Sequence, residues 1–150
     1  MRRKPSEVRA LIVSEHTDLR TLLASIEVRV SDRPHGGSEA RAELRRELER
    51  FCDVFRMHIE NEEALLAPIL VDLDNWGPTR VEHMDLEHAE QSDRIARLCA
   101  LSPEVDSADY VERIRRFCED LRTDMAAEEL ECLSPDVLRD DTINIDAFSG

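Results

Sequence analysis

Six residues that can bind a metal interrupt the apolar stripes of four amphipathic segments. Three are histidines and three are acids, and they occur in all four segments: His16, then His58 and Glu62, then His88, then Asp124 and Glu128. In the second and fourth segments the two side chains are four residues apart, a spacing that places both on one face of a helix. Imidazole and carboxylate groups together suit iron, and manganese accepts similar donors. The pattern predicts a metal centre enclosed by helices.

The neighbours of these residues predict that their side chains point inward. Ile12 and Leu19 bracket His16 at helical spacing, and Met84 and Ile95 bracket His88 in the same way. Burying ionised carboxylates without compensation costs several kcal/mol each, against a net stability of only about 5–15 kcal/mol. Cations among the acids would offset that cost. The alternatives are a buried polar network without metal and a different helical register.

The third segment offers a competing candidate ligand. His83 aligns with Glu87, Glu90 and Arg94 in a charged stripe that we interpret as solvent-facing, but a shifted helix would replace His88 by His83 and Glu87. Glu63 and Glu129 lie about 100° around their helices from the inward positions. At that angle they could orient a histidine without binding the metal themselves.

Composition and turn residues predict the helices that position these side chains. Apolar residues make up 41% of the 150 residues and only four residues are glycine, while Arg, Glu, Leu and Ala favour helix. We predict helices from Ser6 to Val30, from Ser38 to the turn containing Pro68, from about Val81 to a break at Ser102-Pro103, and from Asp106 or Ser107 to Pro135, with a loop at Ser31–Gly37. The fold class is all-α, an antiparallel up-down-up-down four-helix bundle over residues 1–135. We assign no structure to the C-terminal tail, residues 136–150.

Charge and cysteine content limit the classes of partner. The formal net charge is −14, which argues against binding to nucleic acid or to an anionic membrane surface. Apolar runs fall short of the roughly 20 residues that span a bilayer, so we expect a cytoplasmic protein. The four cysteines form no C-x-x-C pair. We expect reduced thiols that pack as small buried apolar groups.

Three stretches carry a resemblance to a known family. Glu15-His16, then His58-x-x-x-Glu62-Glu63 followed by Leu66-Ala67-Pro68, then Met84-x-x-Glu87-His88 resemble the hemerythrin, or HHE cation-binding, domain family over roughly residues 6–135. The resemblance implies a hemerythrin-like bundle with two iron ions, a non-heme di-iron centre with an oxo or hydroxo bridge. It also implies terminal ligands at His16, His58 and His88, and candidate bridging carboxylates at Glu62 and Glu128.

Two departures from the family pattern bear on function. Asp124 stands where the family usually has a histidine, and Met84 stands where oxygen-carrying members have a further histidine. Fewer imidazoles and more carboxylates favour the ferric state, so we expect a protein that binds or reacts with O2, peroxide or NO, in redox sensing or peroxide decomposition under oxidative stress, rather than a reversible oxygen carrier. The alternatives are an iron-homeostasis or iron-sensing module and a metal-free helical interaction domain. The sequence does not decide whether the protein is an enzyme.

Overall fold

The computed structural model describes residues 2–100 and 108–141, with the backbone alone at 32–36. Helix α1 runs over Pro5–Asn61 and breaks at Gly37, which divides it into a first arm (5–36) and a second arm (38–61). The second arm continues through a π-helical turn at Glu62–Leu66 into α2, Ala67–Leu73. Helices α3, Gly77–Ala100, and α4, Ala108–Glu131, complete an all-α fold without strands in the described part of the chain.

Side-chain pairs between the helices show an antiparallel bundle. Wherever two helices touch, residue numbers rise along one and fall along the other. The pairs are Ser25–Glu47 and Arg29–Glu43 between the two arms, Glu62–His88 and Leu48–Cys99 between the second arm's end and α3, Gln91–Asp124 and Arg94–Asp120 between α3 and α4, and Arg20–Glu129 and Glu27–Arg122 between the first arm and α4. The predicted up-down-up-down topology is confirmed.

Two apolar cores lie on either side of a polar layer. The larger core contains Leu23, Phe51 and Phe117, while the smaller contains Ile12, Leu70 and other side chains near the bundle's opposite end. Phe51 is fully buried, and its ring meets that of Phe117 edge to face at 5.9 Å between centroids. The polar layer between the two cores holds the predicted ligands.

The first turn of the bundle is tighter than the sequence suggests. The predicted loop at Ser31–Gly37 is wrong in extent, because the backbone stays helical through residue 36. Only Gly37 leaves the helical conformation, with φ 61° and ψ −148°. Glycine lacks the Cβ atom that disfavours positive φ, so one residue is enough to reverse the chain direction here.

The second bundle helix extends beyond its predicted end. Pro68 was expected in the last turn of this helix or at its end, but it is the second residue of α2, which continues to Leu73. A proline ring clashes with the carbonyl four residues earlier in a regular α-helix, and the wider turn at Glu62–Leu66 accommodates it. The Ala67 N–H donates to the Glu62 carbonyl, five residues earlier. Gly77 then lets α3 begin directly against α2, since an added Cβ would lie 2.1 Å from the Leu70 carbonyl oxygen.

Part of the C-terminal segment packs on the bundle. Leu138 is 2% exposed and belongs to the smaller apolar core. Asp140 accepts hydrogen bonds from the Ser6 N–H at 2.9 Å and from the Ser6 hydroxyl at 2.7 Å, so this segment holds the start of α1. The predicted break at Ser102-Pro103 and the predicted start of the fourth helix lie outside the described residues. Within the described ranges no helix combines the length and apolar character needed to cross a membrane.

Candidate metal centre

Glu62 occupies the middle of the polar layer and faces three histidines. Its side chain is fully buried. Oxygen Oε1 lies 2.8 Å from His58 Nε2 and 3.5 Å from His16 Nε2. Oxygen Oε2 lies 2.5 Å from His88 Nε2. The two oxygens of one carboxylate therefore point to two different sets of nitrogen donors.

The fourth helix brings a second carboxylate to the same place. Glu128 Oε1 lies 3.2 Å from His16 Nε2. His16, His58, Glu62 and Glu128 each offer one ligand atom, and these atoms all lie within 4.8 Å of one another. Four side chains from three separate stretches of the chain thus form a pocket of cation size with mixed nitrogen and oxygen donors.

Acids outside the centre fix the orientation of two histidines. His16 Nδ1 lies 3.1 Å from Glu129 Oε1, and His58 Nδ1 lies 3.0 Å from Glu15 Oε2. An imidazole that donates its Nδ1 proton outward presents the Nε2 lone pair inward, as metal-binding histidines do. Arg20 holds Glu129 through two hydrogen bonds of 2.9 Å each, and Asn61 Nδ2 donates to Glu15.

The donor atoms fit a cation better than they fit one another. Glu62 Oε1 and Glu128 Oε1 are buried and accept no well-aligned hydrogen bond from any described residue. The imidazole nitrogens beside them are close but are not aimed to donate. Buried oxygens without partners cost on the order of 1–3 kcal/mol each, more when charged. A divalent cation bound between lone pairs of nitrogen and oxygen removes this cost, so the residues present fit a metal.

When no cation is bound, burial and the neighbouring charges together raise the pKa values of three side chains in the centre, His16, His58 and Glu128. Burial lowers the pKa of His16, but the carboxylates of Glu128 and Glu62 outweigh burial and raise that pKa to about 9. Burial likewise lowers the pKa of His58, and Glu15 and Glu62 raise it to about 9. Burial raises the pKa of Glu128 to about 7 against the opposing effect of His16. In the metal-free protein, protons therefore occupy the nitrogen and oxygen atoms that would bind a cation. Protons and the cation compete for these atoms.

Asp124 lies at the edge of the centre and outside the four-residue group. It is half-buried and accepts a hydrogen bond of 2.9 Å from Gln91 Nε2. Together with His88, Glu62 and Glu128, it lines the small cavity of the polar layer. His88 is 6% exposed and faces Glu62, whereas His83 lies on the exposed face of α3. Glu87 is exposed as well but lines the small cavity beside Asp124. The register that we predicted for α3 places His88, and not His83, at the centre.

A cleft connects the centre with solvent. It has a volume of about 410 Å³ and lies between the start of α3 and the end of α4. Asp124 and Glu128 belong both to its wall and to the small cavity at the centre. Trp76, which is 69% exposed, stands at its rim. The cleft therefore lies against the side of the centre that carries Asp124 and Glu128.

The orienting acids were only partly foreseen. Glu129 contacts His16, as expected from its angle of about 100° from the inward positions. Glu63 Oε1 lies 3.9 Å from His88 Nδ1. Glu15 was missed as the partner of His58. Its signal was present, because a glutamate directly before an inward histidine lies about 100° from it. From there it reaches the neighbouring helix instead of its own.

Comparison with known proteins agrees with this geometry. The chain matches the family model described as the hemerythrin HHE cation binding domain over residues 8–134. No curated protein and no solved structure matches it. The family match spans the helices that supply His16, His58, Glu62, His88 and Glu128. The chain therefore belongs to the hemerythrin HHE cation-binding domain family.

Proposed function

We propose that this protein binds two iron ions in the polar layer and reacts there with O2, peroxide or NO, with the cytoplasm as its location. The observation that carries the proposal is the division of the Glu62 carboxylate. Oε1 faces His16 and His58 while Oε2 faces His88. A carboxylate that offers one oxygen to each of two donor sets suits a pair of cations.

The two proposed positions differ in their donors. One has His16 and His58, with the orienting acids Glu129 and Glu15 behind them. The other has His88, with Asp124 as a further carboxylate at the edge of the small cavity. Glu62 and Glu128 are the candidates to serve both. Since Asp124 also lines the cleft, the second position is the one that an incoming molecule would meet first.

The chain's own residues would bind, orient and shield the ions. Iron bound here would supply electrons and an open coordination position for oxygen chemistry. The orienting acids hold the Nε2 lone pairs of His16 and His58 inward, and the two apolar cores lie on either side of the layer. Burial raises the pKa of Glu128 to about 7 in the metal-free protein, so iron binding near neutral pH would displace a proton from this carboxyl.

The donor set favours reaction over reversible carriage. Met84 is buried at 4% exposure in the smaller apolar core, so a histidine is missing where oxygen carriers have one. Carboxylate donors stabilise ferric iron. Stopped-flow mixing of the di-ferrous protein with O2 should show irreversible oxidation. Uptake of O2 that is released intact when the pressure falls would refute this part of the proposal.

Metal analysis tests the centre itself. After anaerobic loading with ferrous iron and removal of excess, we expect two irons per chain and a near-ultraviolet charge-transfer band that changes on addition of peroxide. Glu62→Ala should lose both ions and the band. Glu60→Ala, which removes an exposed acid two residues away, should keep them. A wild-type chain that retains no iron under these conditions would instead favour the metal-free interaction module.

A further inference from the structure

Two of the free cysteines meet between the second arm of α1 and α3. Cys52 and Cys99 are both partly buried and both pack against the larger apolar core. After burial, the nearby Cys52 side chain makes the next contribution that raises the pKa of the Cys99 thiol. The two residues are 47 positions apart in the sequence and lie on different helices, so the fold brings them together.

A second contact fixes the position of the Cys99 sulfur independently. Cys99 Sγ lies 4.0 Å from the Leu48 carbonyl oxygen. In an α-helix the carbonyl of residue 48 accepts the N–H of residue 52. The Cys99 thiol therefore lies over the helical turn that carries Cys52.

The surroundings make the two thiols unequal. The Arg56 guanidinium donates to Cys52 Sγ at 3.8 Å. Burial raises the pKa of the Cys99 thiol to about 11, which makes Cys99 the poorer nucleophile. Cys52 is the better nucleophile of the pair, and Cys99 is the thiol held beside it.

We propose that Cys52 and Cys99 form a reversible intramolecular disulfide when the protein meets a hydroperoxide. The Cys52 thiolate attacks one peroxide oxygen, the O–O bond breaks, and the departing hydroxide takes a proton and leaves as water. This leaves Cys52 as a sulfenic acid. The Cys99 sulfur then attacks the Cys52 sulfur, the S–O bond breaks, and the hydroxyl leaves as a second water with the Cys99 proton. Two thiols and one hydrogen peroxide give one disulfide and two waters.

The other two cysteines provide internal controls. Cys118 is 1% exposed within the larger core, and Cys132 packs against the smaller core on the other side of the polar layer. Burial raises the pKa of each thiol to about 12. They are separated from each other by the polar layer, so a mild oxidant should leave both as thiols.

The bridge would join the two helices that carry His58 and His88. Cys52 lies six residues before His58, which is roughly 9 Å along a helix. The proposal does not depend on iron at the centre, because the oxidant and the two sulfurs are sufficient for the reaction. It assigns a modification site to a part of the bundle that the metal centre does not use.

Intact-mass measurement and peptide mapping test the bridge. The full-length protein is treated with one equivalent of hydrogen peroxide, denatured, and alkylated. We expect free thiols to fall from four to two, the mass to fall by two hydrogens, a linked peptide containing Cys52 and Cys99, and full reversal by dithiothreitol. Cys118→Ser and Cys132→Ser should each still form this linked peptide.

Cys99→Ser separates the two steps. This variant should form no intramolecular disulfide, and its Cys52 sulfenic acid should be trapped by dimedone. If wild-type protein keeps four thiols after peroxide, or if the linked peptide joins any other pair of cysteines, the proposal is wrong. The wild-type map alone decides this point, so the test does not depend on whether the variants fold.

Discussion

The metal-free protein should lose stability as the pH rises from about 6.5 to about 9. Over this range the folded protein keeps protons on His16 and His58, whose pKa values are raised from 6.5 to about 9, whereas the unfolded chain has already released them. A state that binds more protons becomes less favourable as the pH rises. The stabilisation is therefore complete below 6.5 and is lost as the pH passes through about 9.

The size of the effect follows from the same values. A histidine whose pKa rises from 6.5 to about 9 contributes roughly 3 kcal/mol, at about 1.4 kcal/mol per pKa unit. The two histidines share Glu62, so together they should give less than twice that amount. Glu128 acts in the same direction at lower pH, since its pKa is raised from 4.5 to about 7. These changes are large beside a typical stability of about 5–15 kcal/mol.

Urea unfolding of chelator-treated protein, followed by circular dichroism at several pH values, measures this dependence. We expect the free energy of unfolding to fall between pH 6.5 and pH 9. The iron-loaded protein should show a much flatter profile, because metal ions replace the protons on the imidazole nitrogens. His83→Gln, which alters an exposed histidine on the face of α3, is the matched control and should keep the full slope.

A stability that stays constant or rises over this pH range in the metal-free protein would refute the reasoning. It would mean that the histidines are not held beside ionised carboxylates, and the geometry of the polar layer would be incorrect. The same slope in the iron-loaded protein would show that metal binds elsewhere.

Three further substitutions test separate parts of the structure. Glu129→Ala removes the acid that orients His16, and a chelator competition should show iron affinity reduced by about 10–100-fold. Asp124→Ala should lower the iron content from two ions to one per chain, measured by elemental analysis, and an unchanged content would exclude Asp124 as a ligand. Gly77→Ala would place a Cβ 2.1 Å from the Leu70 carbonyl oxygen, and urea unfolding should show a loss of about 1–3 kcal/mol.

The helical period was enough to predict the bundle and the inward direction of the histidines. His16, His58 and Glu62 were assigned from apolar neighbours on their own helices, and such neighbours determine which face is buried whatever the partner helix is. Their distances from one another depend on how the helices pack. The position of Glu15 directly before His16 indicated an acid beside the inward face, but its pairing with His58 depends on how the two arms pack.

Other features depend on backbone geometry that side-chain patterns do not encode. A regular helix was assumed through Glu62–Leu66, where the structure has a π-helical turn. The sequence predicted a loop of several residues, Ser31–Gly37, for the chain reversal. In the structure only Gly37 leaves the helical conformation within α1. The packing of Leu138 depends on a groove formed by residues distant in sequence, and a local pattern carries no information about such a groove.

The π-helical turn has a consequence for insertions and deletions. A turn with hydrogen bonds between residues five apart contains one residue more than an α-helical turn. Deleting one residue upstream of it would rotate His58 by about 100° relative to the rest of the bundle, away from the other donors. Deleting one residue within Glu63–Leu66 could instead convert the turn to ordinary α-helix while His58 and Glu62 keep their spacing. Length variation among relatives should therefore be concentrated in this turn and be rare in the helix before it.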